Sequence, residues 1–232
     1  MVVIGVIAFL VACLVADWIL QRRAHLAATG TQQAAPPADP LHLGAPVHAG
    51  GFAVQEEMAY HAGHAWAFVE GPGRVRLGVD DFAGRLVGPA TGLELPALGE
   101  EVQQGVRAWA LLRGGRRTPM LAPITGLVVA LNPRVQTDPG LVQRDPYGEG
   151  WLMIVRPDNL RASLTNLLCG RLVHRWLEEA AGRLRALLHG GSGVALVDGG
   201  TAVPDVGALL SDRDWPTVVR EFLLTEVPER DR

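Results

Sequence analysis

Residues Asp145–Pro157 read DPYGEGWLMIVRP. One proline and two glycines crowd the first half, where a chain is expected to turn. The second half is a short apolar run, too brief for a helix and suited to a strand. This turn-into-strand step closes a small all-β domain whose earlier parts repeat the pattern. HAWAFVE alternates, GPG turns, and RVRLGVDDFA continues with Val75, Leu77 and Val79 on one face. TGLELPALGEEV adds a strand and a turn. VRAWALL and LAPITGLVVALN then flank the arginine-rich Gly-Gly turn of LLRGGRRTPM, Leu111–Met120. Turns at such spacing favour a barrel or sandwich over parallel βαβ units. Trp66, Phe82 and Trp151 are the expected core aromatics of residues 52–157.

Outward from this domain, the first twenty residues carry one charged side chain, Asp17. A helix of that length spans roughly 30 Å, about the thickness of a bilayer core. Residues 1–23 are therefore predicted to be a single transmembrane helix, with Trp18 at the interface. Arg22, Arg23 and His25 follow the apolar run and nothing basic precedes it. The positive-inside rule then puts the C-terminal side in the cytoplasm of a bacterial-type inner membrane. A secretory signal is the rival reading, because LVAC at Leu10–Cys13 looks like a lipoprotein cleavage box. Against it, no basic segment opens the run, only twelve residues precede Cys13, and the run continues as LVADWIL. Residues 24–51, with QQAAPPADP at their centre, read as a tether whose His42 and His48 are solvated.

Beyond the β domain the period changes. Leu160, Leu164, Leu168, Leu172 and Trp176 fall four apart, which predicts an amphipathic helix over 158–190, broken near Gly170 or Gly182. Its apolar stripe suits packing on the β domain, with a membrane-surface or partner role as the alternative. Residues 191–232 form a small extension: a short strand in VALVDGG and a final helix from about Asp214 to Leu224, capped by Asp214 or Ser211.

Composition narrows the function. The 232 residues are 48% hydrophobic with a formal charge of -3, which gives no basic field for nucleic acid. Two cysteines offer no disulfide framework and no CxxC metal site. His61 and His64 are three apart with no cysteine or carboxylate cluster to complete a metal site. Asp80 and Asp81 follow a strand and suit a turn cap better than an acid/base pair. No Ser-His-Asp order, phosphate loop or dinucleotide fingerprint occurs. All 21 basic residues counted as lysine or arginine are arginine, so the sequence contains no lysine.

Together, HAW at His64–Trp66 with VEGPGRVRLGVDDFAGRLVG, LELPALGEEV, APITGLVVALN and above all DPYGEGWLMIVRP make Met58–Pro157 resemble the H protein of the glycine cleavage system. The resemblance implies a lipoyl/biotinyl-type barrel-sandwich hybrid fold. It also implies a lysine on the hairpin before the AP(S/T)G-like segment, amidated by lipoic acid. Counting without gaps from Gly105 to Ala122 puts that position at Gly115, with Leu112 at the family's acidic position and Arg116 following. Arginine is no substitute, because its guanidinium is charged and a poor nucleophile. No cofactor is expected.

The fold expected is mainly β: one N-terminal transmembrane helix, a degenerate H-protein-like domain and an α-helical C-terminal extension. The function expected is that of a non-enzymatic, non-lipoylated accessory subunit of a larger membrane complex, partnered by integral membrane subunits and lipid. Photosynthetic reaction-centre and respiratory complexes offer architectural analogies. A carrier-like or regulatory protein of glycine cleavage or lipoate metabolism is the alternative. Arg113, Arg116 and Arg117 are candidate docking groups for an acidic partner or anionic headgroups, or else a solvated turn.

Overall fold

The computed structural model describes residues 43–189, 197–198 and 201–225. Among these residues no helix is long and apolar enough to cross a membrane. The segment expected to span it, with Trp18, Arg22 and Arg23, lies outside the described residues.

The chain opens with a hairpin, β1 (Val47–Ala49) and β2 (Phe52–Val54). A six-stranded antiparallel sheet follows, built from β3 (Ala59–Tyr60), β4 (Ala65–Gly71), β5 (Arg74–Val79), β7 (Glu101–Val102), β10 (Gly126–Leu131) and β11 (Met153–Pro157). Its spatial order is β3-β4-β5-β11-β10-β7. A second sheet holds β6 (Gly92–Glu94), β8 (Arg107–Arg113) and β9 (Arg116–Leu121) in the order β6-β8-β9. Helices α1 (Asp81–Val87), α2 (Pro133–Thr137), α3 (Leu141–Arg144) and α4 (Leu160–Thr165) fill the connections. The long helix α5 (Arg171–His189) leads to a small hairpin, β12 (Val197–Asp198) with β13 (Thr201–Ala202), and to α6 (Trp215–Phe222).

The turn at Asp145 shows why its residues are needed. The Asp145 carboxylate accepts from the amides of Gly148 at 3.1 Å and Glu149 at 2.6 Å, so one side chain closes the loop. A Cβ on Gly150 would lie 2.5 Å from the Leu141 carbonyl oxygen, so no larger residue fits. The loop delivers the Pro146 carbonyl to the indole N–H of Trp66, which donates to it at 3.2 Å and to the Val79 carbonyl at 3.0 Å. Trp66 in turn lies flat on Gly78, where a Cβ would stand 2.4 Å from the indole. Val75, Leu77 and Val79 are fully buried in β5, as their alternation predicts. Trp66 and Phe82 are fully buried and Trp151 is 7% exposed, so all three expected aromatics are in the core.

Two expectations are corrected. Residues 47–51, assigned to the tether, belong to the fold: Gly50 and Gly51 turn with φ of 63° and 97°, and a Cβ on Gly50 would stand 2.6 Å from Ala181 of α5. Three-residue strands are too short for alternation to reveal them. The break expected near Gly170 or Gly182 falls at Gly170, which has a φ of 57°, and the helix runs on through Gly182; what is corrected is the apolar stripe. That break resets the phase, so Leu172 is 61% exposed while Val173, Leu177, Ala180, Ala181 and Leu184 face the core.

Candidate functional site

The β8–β9 hairpin carries the arginines. Its two-residue turn is Gly114–Gly115, with φ of 53° and 79°, the left-handed pair that matches the twist of adjoining strands. Arg113 and Arg116 are direct cross-strand partners and share one sheet face with the pairs Leu111–Thr118 and Trp109–Met120. Two like charges opposite each other repel unless anions are supplied.

The C-terminal extension supplies them. The Arg113 guanidinium grips Asp205 with two bonds of 2.6 and 2.5 Å and also donates to the Val87 carbonyl at 2.7 Å. Arg116 donates to the Asp212 carboxylate at 2.9 Å and to the carbonyls of Gly207 and Leu210 at 3.0 and 2.9 Å. Its guanidinium carbon lies 4.8 Å from the ring centroid of Trp215. Arg117 points to the other face, where it donates to Glu94 at 2.7 Å. All three candidate docking arginines are thus paired within the chain. A shallow depression of about 230 Å³ remains at the tip, lined by Arg113, Gly114, Arg116, Gly207, Ala208 and Asp212.

Glycines make the seat. A Cβ on Gly88, whose φ is 79°, would lie 2.0 Å from Arg113 Nη1 and 2.6 Å from Asp205 Oδ1. A Cβ on Gly207 would lie 2.5 Å from the Leu86 carbonyl oxygen. On the sheet face that carries the two arginines, the indole N–H of Trp109 and the Thr118 hydroxyl are buried without a hydrogen-bond partner among the described residues, as is the indole N–H of Trp215. Thr225 fastens the end of the extension by donating to the Pro119 carbonyl at 2.8 Å.

A second cluster lies around His64. Its Nδ1 is 2.7 Å from the Asp80 carboxylate, and its ring stacks between Phe82 and Trp176 at 4.1 and 4.4 Å. Asp80 also caps α1 by accepting from the Ala83 amide at 2.8 Å, the role its sequence position suggested. His61 accepts the Gly63 amide on Nδ1 at 3.0 Å, and burial together with the nearby His64 pushes its pKa below the usual value. Among the described residues no group of three or more metal-ligating side chains gathers. Burial raises the Asp81 carboxyl against the opposing pull of the Ala53 amide and Arg85. Sequence reasoning missed Asp205, Asp212, Trp215, Gly88 and Gly207, because no spacing links the tail to the hairpin.

The lipoyl group implied for such a hairpin does not fit this one. The tip is Gly114–Gly115 and no lysine amine exists anywhere in the sequence to form the amide.

Comparison with known proteins supplies the family. The glycine cleavage H-protein model matches residues 58–180. The glycine cleavage system H protein of Xanthomonas campestris pv. campestris (strain B100) is 37% identical over 125 residues, covering 54% of this chain and 95% of that protein. That of Psychrobacter sp. (strain PRwf-1) is 36% identical over 106 residues, 46% and 84% of the two chains. The crystal structure of a glycine cleavage system H protein from Mycobacterium marinum aligns over 54% of this chain and 98% of its own, at 26% identity and a TM-score of 0.48. With the matched segment covering more than half of its residues, the chain belongs to the glycine cleavage H-protein family.

Proposed function

We propose that this chain is a non-enzymatic, non-lipoylated H-protein-like accessory subunit that works by protein–protein contact. In this reading residues 1–23 hold it in a bacterial-type inner membrane, with Arg22 and Arg23 on the cytoplasmic side and Trp18 at the interface. The β domain then stabilises a larger membrane complex, of photosynthetic reaction-centre or respiratory type, from the cytoplasmic side. The observation that carries the non-carrier reading is the hairpin tip: two glycines where the family's chemistry needs a primary amine, in a sequence without lysine. A domain that keeps its family's fold without that amine is suited to a structural task.

Family membership favours one second reading, a regulatory protein that binds glycine-cleavage or lipoate-handling enzymes without being modified. Extraction in mild detergent, a native gel and mass spectrometry separate the two. Integral membrane subunits in the same band are the expected outcome; soluble glycine-cleavage enzymes would replace the first reading by the second. The intact mass of the purified chain is expected to carry no lipoyl increment, and an adduct would overturn both.

A further inference from the structure

The C-terminal extension meets the hairpin as a ligand meets a receptor. Among the described residues, no strand of the extension joins the β6-β8-β9 sheet. Contact runs instead through side chains: Arg113 on Asp205, Arg116 on Asp212, two main-chain carbonyls and the Trp215 ring. Anchored this way, α6 then lays an apolar face inward, with Val218, Val219 and Phe222 at most 2% exposed. Phe222 reaches Phe82 at 5.4 Å between ring centroids. A charged pair that sets register beside an amphipathic helix that supplies buried area is the usual division of labour in helix-in-groove recognition.

Two further observations point the same way. The seat for the Arg113–Asp205 pair is cut by Gly88 and Gly207, which leave room that a Cβ would fill. Among the described residues, polar atoms of Trp109 and Thr118 on the hairpin face and of Trp215 in the extension are buried without partners. Orphaned groups of this kind weaken an interface relative to a core of equal area. The stretch from His189 to Gly200 that joins α5 to the extension reads HGGSGVALVDGG, five glycines in twelve residues.

We propose that the hairpin face is a binding site for an acidic, tryptophan-bearing segment, and that residues 201–225 are its tethered occupant, withholding Arg113 and Arg116 from outside partners of the same chemistry. Tethering keeps the occupant at an effective concentration in the millimolar range. A free segment at micromolar concentration therefore fails to displace it. The inference concerns an interface within the chain and stands whatever complex the domain joins.

Cutting the tether tests this without dissecting the fold. A protease site is inserted between Ser192 and Gly193 of the full chain, the folded protein is cleaved, and a fluorescent synthetic peptide of residues 201–225 is added. The intact chain is expected to leave the peptide free, whereas the cleaved chain exchanges its own fragment for it. A peptide carrying Asp205→Asn and Asp212→Asn is expected to bind about tenfold or more weakly, the loss typical of removing charge-assisted hydrogen bonds. Placing these changes in the peptide leaves the body's folding untouched. The proposal is overturned if the intact chain binds the peptide as well as the cleaved one, or if the cleaved chain never exchanges. It is equally overturned if the two peptides bind alike, which would put recognition in the apolar helix alone. The absence of a lipoyl adduct is read by intact mass, so failure here leaves the non-carrier reading separately decided.

Discussion

His64 and Asp80 form a buried couple, Nδ1 to carboxylate 2.7 Å, with the imidazole 1% exposed and held between two aromatic rings. Asp80 meanwhile caps α1, so one carboxylate ties a loop residue to the start of a helix. Its two oxygens serve the two tasks separately.

Removing one partner of such a couple leaves the other buried and unpaired. His64→Ala is expected to lower unfolding free energy by about 3 kcal/mol, the order seen when a buried pair is broken. Asp80→Ala should cost more, since the helix cap adds about 1 kcal/mol. Asp80→Asn, which keeps an acceptor for the Ala83 amide, should fall below Asp80→Ala. Urea midpoints at fixed pH check the order, and equal losses for Asp80→Ala and Asp80→Asn would refute the two-task description.

His61 gives the fold an acid-sensitive contribution. Its folded pKa lies below 6.5, so between the two values the unfolded chain binds more protons than the folded one, and stability rises with pH there. The penalty begins as pH falls through 6.5 and is complete below the folded value. Geometry agrees, because Nδ1 already accepts the Gly63 amide and a proton there would set donor against donor. Asp81 acts with the opposite sign: its raised pKa makes the folded state the stronger proton binder above 3.8, so its ionisation costs stability as pH rises. His61→Asn keeps an acceptor two residues before Gly63 and cannot charge. Its denaturation free energy is expected to fall less than that of the parent between pH 7 and 5; identical slopes would remove His61 as the cause.

What could be read from the sequence was whatever depends on near neighbours. The DPYGEGW turn was legible because Asp145 bonds amides three and four residues on, and Gly150 is needed by carbonyls within ten residues. The α1 cap was legible for the same reason. The covering of the hairpin was not, since Arg113 and Asp205 stand 92 residues apart and Arg116 and Asp212 stand 96 apart. An exposed-looking arginine and a distant aspartate share no periodicity. The exposure of Leu172 was hidden for a different reason: one left-handed residue, Gly170, shifts the helical phase of everything after it.

The hairpin tip has an inexpensive geometry to test. Gly114 has a φ of 53°, and a Cβ placed on it would meet nothing within 4 Å among the described residues, so substitution there meets backbone strain. Gly114→Ala is expected to cost about 1 kcal/mol, and Gly114→Asn less, because asparagine tolerates this conformation. Thermal melts of the two variants check the order. A larger loss for asparagine would mean that the turn is held by contacts and not by its dihedral angles.

Gly88 separates the ion pair from the backbone that seats it. Gly88 and Gly99 both have positive φ, 79° and 82°, so alanine at either meets backbone strain, and Gly88, with a ψ of −168°, lies in the region that is essentially glycine's alone. Their surroundings differ: a Cβ on Gly99 meets nothing within 4 Å among the described residues, whereas one on Gly88 lies 2.0 Å from Arg113 Nη1 and 2.6 Å from Asp205 Oδ1. The arginine tip is the softer obstacle, so Arg113 swings out and Asp205 loses its bidentate partner. Freed, Asp205 no longer anchors the turn in which it accepts the Ala208 amide at 3.0 Å. Amide hydrogen exchange at Val206, Ala208 and Leu210 is expected to accelerate in Gly88→Ala while the amides of β5 and β11 keep their protection. Gly99→Ala should lose global stability without that local change. If both variants exchange alike at these three amides, the Arg113–Asp205 pair does not hold the extension in place.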